Sequence, residues 1–315
     1  MGERGSLAVG VLGGGRWGLA LAAAVTRNGH SAMLYSRRHE LAPNLAGAFT
    51  RTTELKAVAA HARLILLAVP SSVLRDVARA LGDVTNGSHL LVHGIRGLSA
   101  EGLTPLSQVL REETPCRRVG ALGGPALADD LLEGLPSVIA VASPFAEVTD
   151  AVRAVLEGPR MRVSVSRDLV GLEWASALNG VLCVALGYAR AIGIPAALLG
   201  GVMVRGLHEA ARIAVAAGAD ERSLFELAGV GDLLAAMGQD DRPECRLGAA
   251  LANGATLADA LADSPVRIEA PTLVPRVVAF ARRHRVDATL FESIESVFVG
   301  TLDRETLVAR LMQRR

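Results

Sequence analysis

The first half of the chain alternates short apolar runs with segments of helical periodicity, and this alternation limits the folds available to it. The runs 7–13 and 31–36 enclose an Ala-rich helical pattern at 17–29, which ends in Asn-Gly, a frequent helix C-terminus. Short apolar strands that alternate with helices are typical of a parallel sheet covered by helices. Further strands are predicted at 63–70, 88–95, 117–125 and 137–143, and further helices at 54–62 and 71–81.

After about residue 166 the pattern changes, because strand-like runs become scarce and long helical patterns replace them. We therefore predict an α/β N-terminal domain, residues 1–166, with a doubly wound parallel sheet, followed by an all-α C-terminal domain, residues 167–315. The uncharged run between Glu173 and Arg190 is short and rich in small residues, so we interpret it as a core helix. Helices are predicted at 168–192, 196–218, 221–238, 244–252, 256–262, 271–285, 289–299 and 304–314.

Composition argues against several classes of function. The 315 residues carry 33 basic and 32 acidic side chains, a formal net charge of +1, which does not favour binding to nucleic acid or to membranes. Lys56 is the single lysine, so chemistry that needs a primary amine has one candidate. Cys116, Cys183 and Cys245 are far apart and have no metal-ligand spacing, which is typical of a reducing cytoplasm. Since the first residues are polar and resemble no signal peptide, we expect a cytoplasmic protein without a metal site.

A glycine pattern, Gly13-x-Gly15-x-x-Gly18, directly follows the first predicted strand and opens the first predicted helix. In that context Gly13 permits a tight turn, Gly15 lets the backbone approach a pyrophosphate, and Gly18 lets the helix pack closely on the strand. The N-terminus of the helix then faces the phosphates. The pattern therefore predicts a dinucleotide-binding Rossmann domain.

The end of the second strand is where such domains distinguish NAD from NADP. An acidic residue at this point binds the ribose hydroxyls of NAD. This chain has Ser36, Arg37 and Arg38 instead, a hydroxyl and two guanidinium groups that suit a 2′-phosphate. We predict NADP as the cofactor, with NAD as an alternative. The alternative interpretation is that the two arginines are exposed to solvent and bind no cofactor.

Six segments of the chain are distinctive when taken together and in order. They are GGGRWGLALA, LLAVPSSVLRDV, LGGPALADDLLEGLPSVIAVAS, DLVGLEWASALNGV, ELAGVGDLL and IEAPTLVPRVVAFARRHRVDATLFESIESVFVG. In the same order and over nearly the whole chain, they resemble the bacterial NAD(P)-dependent glycerol-3-phosphate dehydrogenases. The resemblance implies reversible hydride transfer between a nicotinamide and dihydroxyacetone phosphate, a cleft between two domains, and a homodimer. It also adds Arg16, Trp17 and Pro70 to the predicted cofactor site.

The same resemblance implies that most charged positions of the family's substrate site are substituted in this chain. The lysine after the strand LLVHGI corresponds to His93, and the acid/base lysine of the family's Ala-Leu-Lys-Asn motif corresponds to Asn179. The Arg-Asn pair that holds the substrate phosphate corresponds to Pro243 and Glu244, whereas the aspartate of a Gly-x-Gly-Asp turn is retained as Asp232. We predict Asn179, His93 and Asp232 as catalytic residues, with a helix cap as the alternative role of Asp232.

These substitutions change the chemistry that the site supports. An asparagine can polarise a carbonyl oxygen but cannot give and recover a proton near neutral pH. His93 can titrate in that range, unless it is only a hydrogen-bonded structural histidine. Arg242 and Arg246 are the predicted substrate-binding residues, because a shift of one or two residues would bring either to a phosphate.

Three functions are compatible with this sequence. We expect an NAD(P)-dependent oxidoreductase of this kind with an altered substrate, such as an unphosphorylated carbonyl or an imine, or with reduced activity. The second is an ordinary glycerol-3-phosphate dehydrogenase that tolerates the substitutions in its substrate site. A non-catalytic NADP(H)-binding sensor or scaffold is the third, since an intact glycine-rich loop beside a substituted substrate site fits that function.

Overall fold

A computed structural model describes residues 6–37, 49–239, 241–264 and 266–301. The chain divides into two compact units, Met1–Ile95 with Thr104–Leu172, and Arg96–Leu103 with Glu173–Arg315. The predicted boundary at residue 166 falls within the first unit. The short segment that begins at Arg96 groups with the second unit, because Arg96 contacts Asp232 there and the carbonyl oxygen of Ser99 accepts a hydrogen bond from Arg276.

The first unit is built on one eight-stranded sheet. Its strands are β1 (Ala8–Leu12), β2 (Ser31–Tyr35), β3 (Thr50–Thr52), β4 (Leu64–Leu67), β5 (Leu90–His93), β6 (Val119–Gly123), β7 (Ser137–Ala142) and β8 (Met161–Ser166). Their order is β3-β2-β1-β4-β5-β6-β7-β8, and every neighbouring pair is parallel except β6 and β7. The predicted doubly wound sheet is therefore confirmed, with one antiparallel junction that was not predicted.

Two of the strands, β3 and β8, were also not predicted, and both lie at the edges of the sheet. Their sequences are TRT and MRVSVS, with exposed polar side chains, so neither forms the continuous apolar run that marks a strand buried on both faces. In contrast, β4 and β5 lie in the middle of the sheet and are buried along their whole length.

Helices cover the sheet in two groups. Helix α1 contacts both α5 and α6, and α2, α3 and α4 form a second contacting series. The sequence pattern predicted α1, α2 and α3, but not α4, α5 or α6. The bounds are α1 Arg16–Arg27, α2 Leu55–His61, α3 Leu74–Gly82, α4 Leu106–Glu113, α5 Ala128–Glu133 and α6 Ala146–Leu156.

Helices form nearly all regular structure from residue 169 onward, as predicted. The bounds are α7 Leu169–Ala191, α8 Ala196–Ala216, α9 Asp232–Ala236, α10 Pro243–Ala252, α11 Leu257–Ala262, α12 Ala270–Arg283 and α13 Thr289–Phe298. The helix predicted at 304–314 lies outside the described residues. Within them, α7 is the one helix long and apolar enough to cross a membrane, and 89% of that stretch is buried in the protein, which fits the predicted core helix.

The single helix predicted at 221–238 is wrong, because the structure breaks it into three pieces. A 3-10 turn, Glu221–Phe225, is followed by a wide turn, Leu227–Gly231, and then by α9. In the wide turn the Gly231 amide donates to the carbonyl oxygen of Glu226 at 3.1 Å, one residue further back than in an α-helix. A Cβ on Gly229 would overlap the Leu224 carbonyl, so the turn requires glycine. As a result, Asp232 becomes the first residue of α9.

Helices α7 and α10 approach each other closely through two glycines. A Cβ on Gly187 would overlap the backbone of Cys245, and a Cβ on Gly248 would overlap the carbonyl oxygen of Val184. This contact fixes the first turns of α10 against the half of α7 that follows Asn179. The start of α10 is therefore held close to the second half of α7.

Candidate active site

The glycine-rich loop between β1 and α1 has the geometry of a phosphate cradle. Gly13 has φ +124°, a conformation that favours glycine, and a Cβ on Gly18 would overlap the Gly13 carbonyl oxygen. Among the described residues, no atom lies within 4 Å of the Cβ position of Gly15, so they leave the backbone there open to a ligand. Helix α1 begins with no side-chain cap and no acidic residue in its first turn, which leaves its N–H groups for an anion. These residues fit a dinucleotide pyrophosphate.

The residues after β2 take the positions expected of a ribose-binding segment. Ser36 is buried directly after the strand, and its side chain fills the space beside Gly14, where a Cβ would overlap the Ser36 oxygen. Arg37 is exposed, and its guanidinium has no hydrogen-bond or ion-pair partner among the described residues. Arg38 lies outside the described residues. Their roles as cofactor ligands stay predictions, and Ser36 and Arg37 fit them.

The other predicted cofactor residues lie around the same edge of the sheet. Arg16 forms an ion pair with Asp129 of α5, and its side chain is largely exposed. Trp17 packs against Gly94, directly after β5, and its buried Nε1 has no hydrogen-bond partner among the described residues. Pro70 is exposed after β4. Because β1 lies between β2 and β4, this edge includes the switch point at which doubly wound sheets bind ligands.

His93 is the last residue of β5 and is almost completely buried. Its Nδ1 accepts a hydrogen bond from the Ile95 amide at 3.4 Å, which leaves Nε2 as the nitrogen that can carry the proton. This contact fits both interpretations of His93, an acid/base group and a structural histidine. Its catalytic role stays a prediction.

A buried ionic cluster surrounds Asp232 in the helical unit. The Asp232 side chain is fully buried, and its Oδ1 accepts a hydrogen bond from the Nη2 of Arg242 at 2.7 Å. The Nη1 of Arg242 also donates to the Asp232 carbonyl oxygen at 3.2 Å. The guanidinium of Arg96 lies on the other side of the carboxylate, with Nη1 3.1 Å from Oδ2. Asp232 is therefore held by two cations.

Asn179 completes the surroundings of Asp232 from the middle of α7. Its Nδ2 donates to Asp232 Oδ2 at 2.7 Å, and the residue is 2% exposed. Its Oδ1 is buried and has no hydrogen-bond partner among the described residues. The structure therefore brings together two of the three predicted catalytic residues, Asn179 and Asp232, through a direct hydrogen bond.

Arg96 is a member of this cluster that sequence reasoning missed. A Cβ on Gly180 would lie 3.3 Å from Cδ of Arg96, tighter than ordinary van der Waals contact, so glycine leaves room for the arginine side chain. Arg96 also lies 3.7 Å from Glu244, and its side chain is 25% exposed. No spacing rule connects Arg96 with Asp232, because they are 136 positions apart.

The start of α10 contains Pro243 and Glu244, the residues that the resemblance aligns with the family's phosphate-binding pair. Pro243 is the first residue of the helix, where proline is well tolerated, and it offers no side-chain donor. Glu244 follows, and its carboxylate lies 3.5 Å from Nε of Arg242. Arg246 is exposed on the same helix. Its predicted role in substrate binding stays a prediction.

Arg242 faces inward, and the contacts it makes differ from those predicted for it. Its side chain is 1% exposed, and its nitrogens are directed at Asp232 and Glu244. Burial alone would lower the pKa of this guanidinium, but the neighbouring Cys183, Asp232 and Glu244 raise it, so Arg242 stays charged. Its predicted role as a phosphate ligand is untested, and this geometry favours a role in holding Asp232.

The fold and these features define a class of protein. A doubly wound sheet with a glycine-rich first turn, followed by a helical unit with buried polar residues, is the architecture of two-domain dinucleotide-dependent proteins. The chain belongs to the NAD-dependent glycerol-3-phosphate dehydrogenase family. The model of the family's N-terminal part matches residues 8–149, and the model of its C-terminal part matches residues 168–309.

Individual relatives agree with this membership over the full length of the chain. The glycerol-3-phosphate dehydrogenase (NAD(P)+) of Halorhodospira halophila is 32% identical over 97% of this chain and 96% of its own length. The protein of that name from Brucella ovis is 30% identical over 98% of both chains. The crystal structure of glycerol-3-phosphate dehydrogenase from Coxiella burnetii covers 98% of this chain and 99% of its own, with 25% identity and a TM-score of 0.90.

Proposed function

We propose that this chain is an NADP(H)-dependent oxidoreductase that transfers a hydride between the nicotinamide and a small unphosphorylated carbonyl or imine. It would act on dihydroxyacetone phosphate weakly or not at all. Family membership supports the reaction type, and the open glycine-rich loop supports the cofactor. The substituted residues around Asp232 support the change of substrate.

The observation that carries the proposal is the pairing of Asp232. In the family, as the resemblance has it, an acid/base lysine occupies the position of Asn179. Here an amide occupies that position, and the positive charges beside Asp232 come from Arg242 and Arg96. An arginine is protonated at all working pH values, so it cannot serve as a proton donor that is regenerated. The cluster therefore binds and orients but does not supply a proton.

The residues around Asp232 bind and orient the substrate. When bound, the nicotinamide supplies or accepts the hydride. Asp232 fixes the Asn179 amide and the Arg242 guanidinium in single orientations, which prearranges the site for its ligand. Arg96 is the more accessible of the two cations and the one that substrate reaches most easily. Glu244, where the family has a phosphate ligand, repels a phosphorylated substrate.

The substrate change is tested by NADPH oxidation with dihydroxyacetone phosphate beside a panel of unphosphorylated carbonyls and imines. We expect kcat/KM for dihydroxyacetone phosphate to be at least about 100-fold below that of the best panel member, because loss of a general acid alone has effects of this size. Robust turnover of dihydroxyacetone phosphate would contradict the proposal. Tight NADPH binding without turnover of any compound would favour the sensor.

The same assay tests His93. If it is the acid/base group, His93→Ala should reduce kcat about 100- to 10,000-fold, the usual effect of losing a general acid or base. The exposed His208 of α8 gives the matched control, His208→Ala, which should leave the rate unchanged. A rate unaffected by His93→Ala removes His93 from the mechanism.

NADP selectivity is tested by binding. We expect the wild-type chain to bind NADPH more tightly than NADH, and Arg37→Ala to weaken NADPH binding about 10-fold or more without affecting NADH, since one charge-assisted contact to the 2′-phosphate is removed. Fluorescence titration of both cofactors measures this. Arg162→Ala, on the exposed edge strand β8, is the control, and tighter binding of NADH by the wild type would contradict NADP selectivity. The homodimer and the cytoplasmic location stay predictions.

A further inference from the structure

The Asn179 amide is fixed in one orientation by its partner. Asp232, which two guanidinium groups contact, is a carboxylate and accepts hydrogen bonds, so the amide nitrogen of Asn179 must face it. The carbonyl oxygen, Oδ1, then points away from Asp232. It is buried without a hydrogen-bond partner among the described residues. A buried amide oxygen ordinarily has such a partner.

The polarity of this position is therefore the reverse of what a ketone reductase needs. A lysine in place of Asn179 would present a donor, and a ketone oxygen, which only accepts, would bind to it. The free group of Asn179 is an acceptor. It repels a ketone oxygen and attracts an N–H or O–H group of a ligand.

The charges around Asn179 also favour a ligand that donates a hydrogen bond. Arg96 and Arg242 are balanced by Asp232 and Glu244, so these four groups carry no net charge. The carboxylate of Glu244 lies 3.7 Å from Nη1 of Arg96 and 3.5 Å from Nε of Arg242, longer than charge-assisted hydrogen bonds. Such a carboxylate retains capacity to accept from a ligand. A phosphate dianion is disfavoured in these surroundings, whereas a cation is tolerated.

We propose that the substrate is an imine bound in its protonated form, with its N–H donating to Asn179 Oδ1, and that the product is the corresponding amine. This inference rests on the proposed function, hydride transfer from NADPH. Among N–H and O–H ligands, an alcohol is a poorer match, because its oxidation releases the hydroxyl proton and an amide cannot take it. An iminium ion carries its proton into the site and needs no acid from the protein.

The step balances without a further reactant. The iminium carbon receives the hydride, a C–H bond forms, and the π electron pair of the C=N bond moves to nitrogen as a lone pair. The positive charge passes from the substrate to the oxidised nicotinamide, and the product is a neutral amine that takes a proton from water after release. Asn179 holds the same N–H proton throughout.

The test compares two compounds of similar shape, the cyclic imine pyrroline and the ketone cyclopentanone, with NADPH and the full-length chain. We expect kcat/KM for the imine to exceed that for the ketone by at least about 100-fold, the size of effect expected when the ketone finds no acid. Calorimetric binding of the products, with oxidised cofactor present, gives a readout independent of turnover. Pyrrolidine should bind more tightly than cyclopentanol.

Variants at Asn179 test whether its side-chain oxygen causes the preference for the imine over the ketone. Asn179→Leu, close in size but unable to accept, should lower imine turnover and pyrrolidine affinity about 10- to 100-fold. The double variant Asn179→Lys with Arg242→Ala restores a donor and keeps two cations beside Asp232, the new lysine and Arg96, so its ratio of ketone to imine kcat/KM should rise at least about 10-fold. Asn253→Leu, at the exposed end of α10, is the control.

Three results would count against this inference. Reduction of cyclopentanone as fast as pyrroline would overturn it while leaving the proposed function intact. An unchanged imine preference in a folded Asn179→Leu variant would show that Oδ1 does not select the substrate. Absence of NADPH binding, or of turnover with every compound, would remove the proposed function itself and the inference with it.

Discussion

Replacing Arg242 with alanine is expected to lower the free energy of unfolding by about 3–5 kcal/mol, the usual effect of removing one partner from a buried ion pair. The Asp232 carboxylate is fully buried, and Arg242 makes its shortest contact with a cation, 2.7 Å. Without Arg242 that carboxylate keeps Asn179 and the more distant Arg96. Urea denaturation followed by circular dichroism measures the loss.

Two further variants test whether the loss of stability comes from the ion pair between Arg242 and Asp232. Arg246→Ala removes an exposed arginine from the same helix and should change stability by less than about 0.5 kcal/mol. Adding Asn179→Lys to Arg242→Ala should recover part of the lost stability, because a second cation again lies beside Asp232, next to Arg96. If Arg242→Ala is as stable as the wild type, Arg242 does not hold the buried carboxylate.

Replacing Gly18 with alanine is expected to weaken NADPH binding at least about 100-fold, because a shift of about 1 Å in a binding loop is enough for a loss of this size. A Cβ on Gly18 would overlap the backbone oxygen of Gly13, which cannot move away as a flexible side chain could. Helix α1 must therefore separate from the loop that precedes it. Fluorescence titration with NADPH measures the affinity, and circular dichroism shows whether the variant is folded.

The control for Gly18 is another helical glycine with open surroundings. In the part of the chain that the structure describes, no atom lies within 4 Å of the Cβ position of Gly200 in α8. Gly200→Ala should therefore bind NADPH normally and gain up to about 1 kcal/mol of stability from better helix propensity. Normal NADPH binding by a folded Gly18→Ala variant would contradict the assignment of this loop to the cofactor.

The polar pair Asn179-Gly180 has a physical explanation in the structure. Both residues are poor helix formers in the middle of a buried, apolar helix. Asn179 donates to the buried Asp232, and Gly180 leaves space for the side chain of Arg96. The two residues therefore serve the buried cluster around Asp232, in which the cations come from Arg96 and from Arg242, the residue directly before α10.

Local patterns predicted the parts of the molecule that local physics controls. The β1–Gly13–α1 turn was predictable because a strand, a positive φ and a close helix contact each demand particular residues in adjacent positions. The buried strands β4 and β5 and the long helices α7 and α8 were predictable for the same reason, since their apolar patterns extend over whole elements. The short edge strands carry no such pattern and were missed.

The sequence by itself determined the sheet, the helical second half and the cofactor loop, because glycine geometry and apolar periodicity act between neighbouring residues. Only the tertiary structure decided how the charges pair. Asp232 meets Asn179, Arg242 and Arg96 because the wide turn before α9 and the glycine contacts between α7 and α10 bring four distant segments together. The interaction of buried charges depends on distance and burial, and neither can be read from separation along the chain.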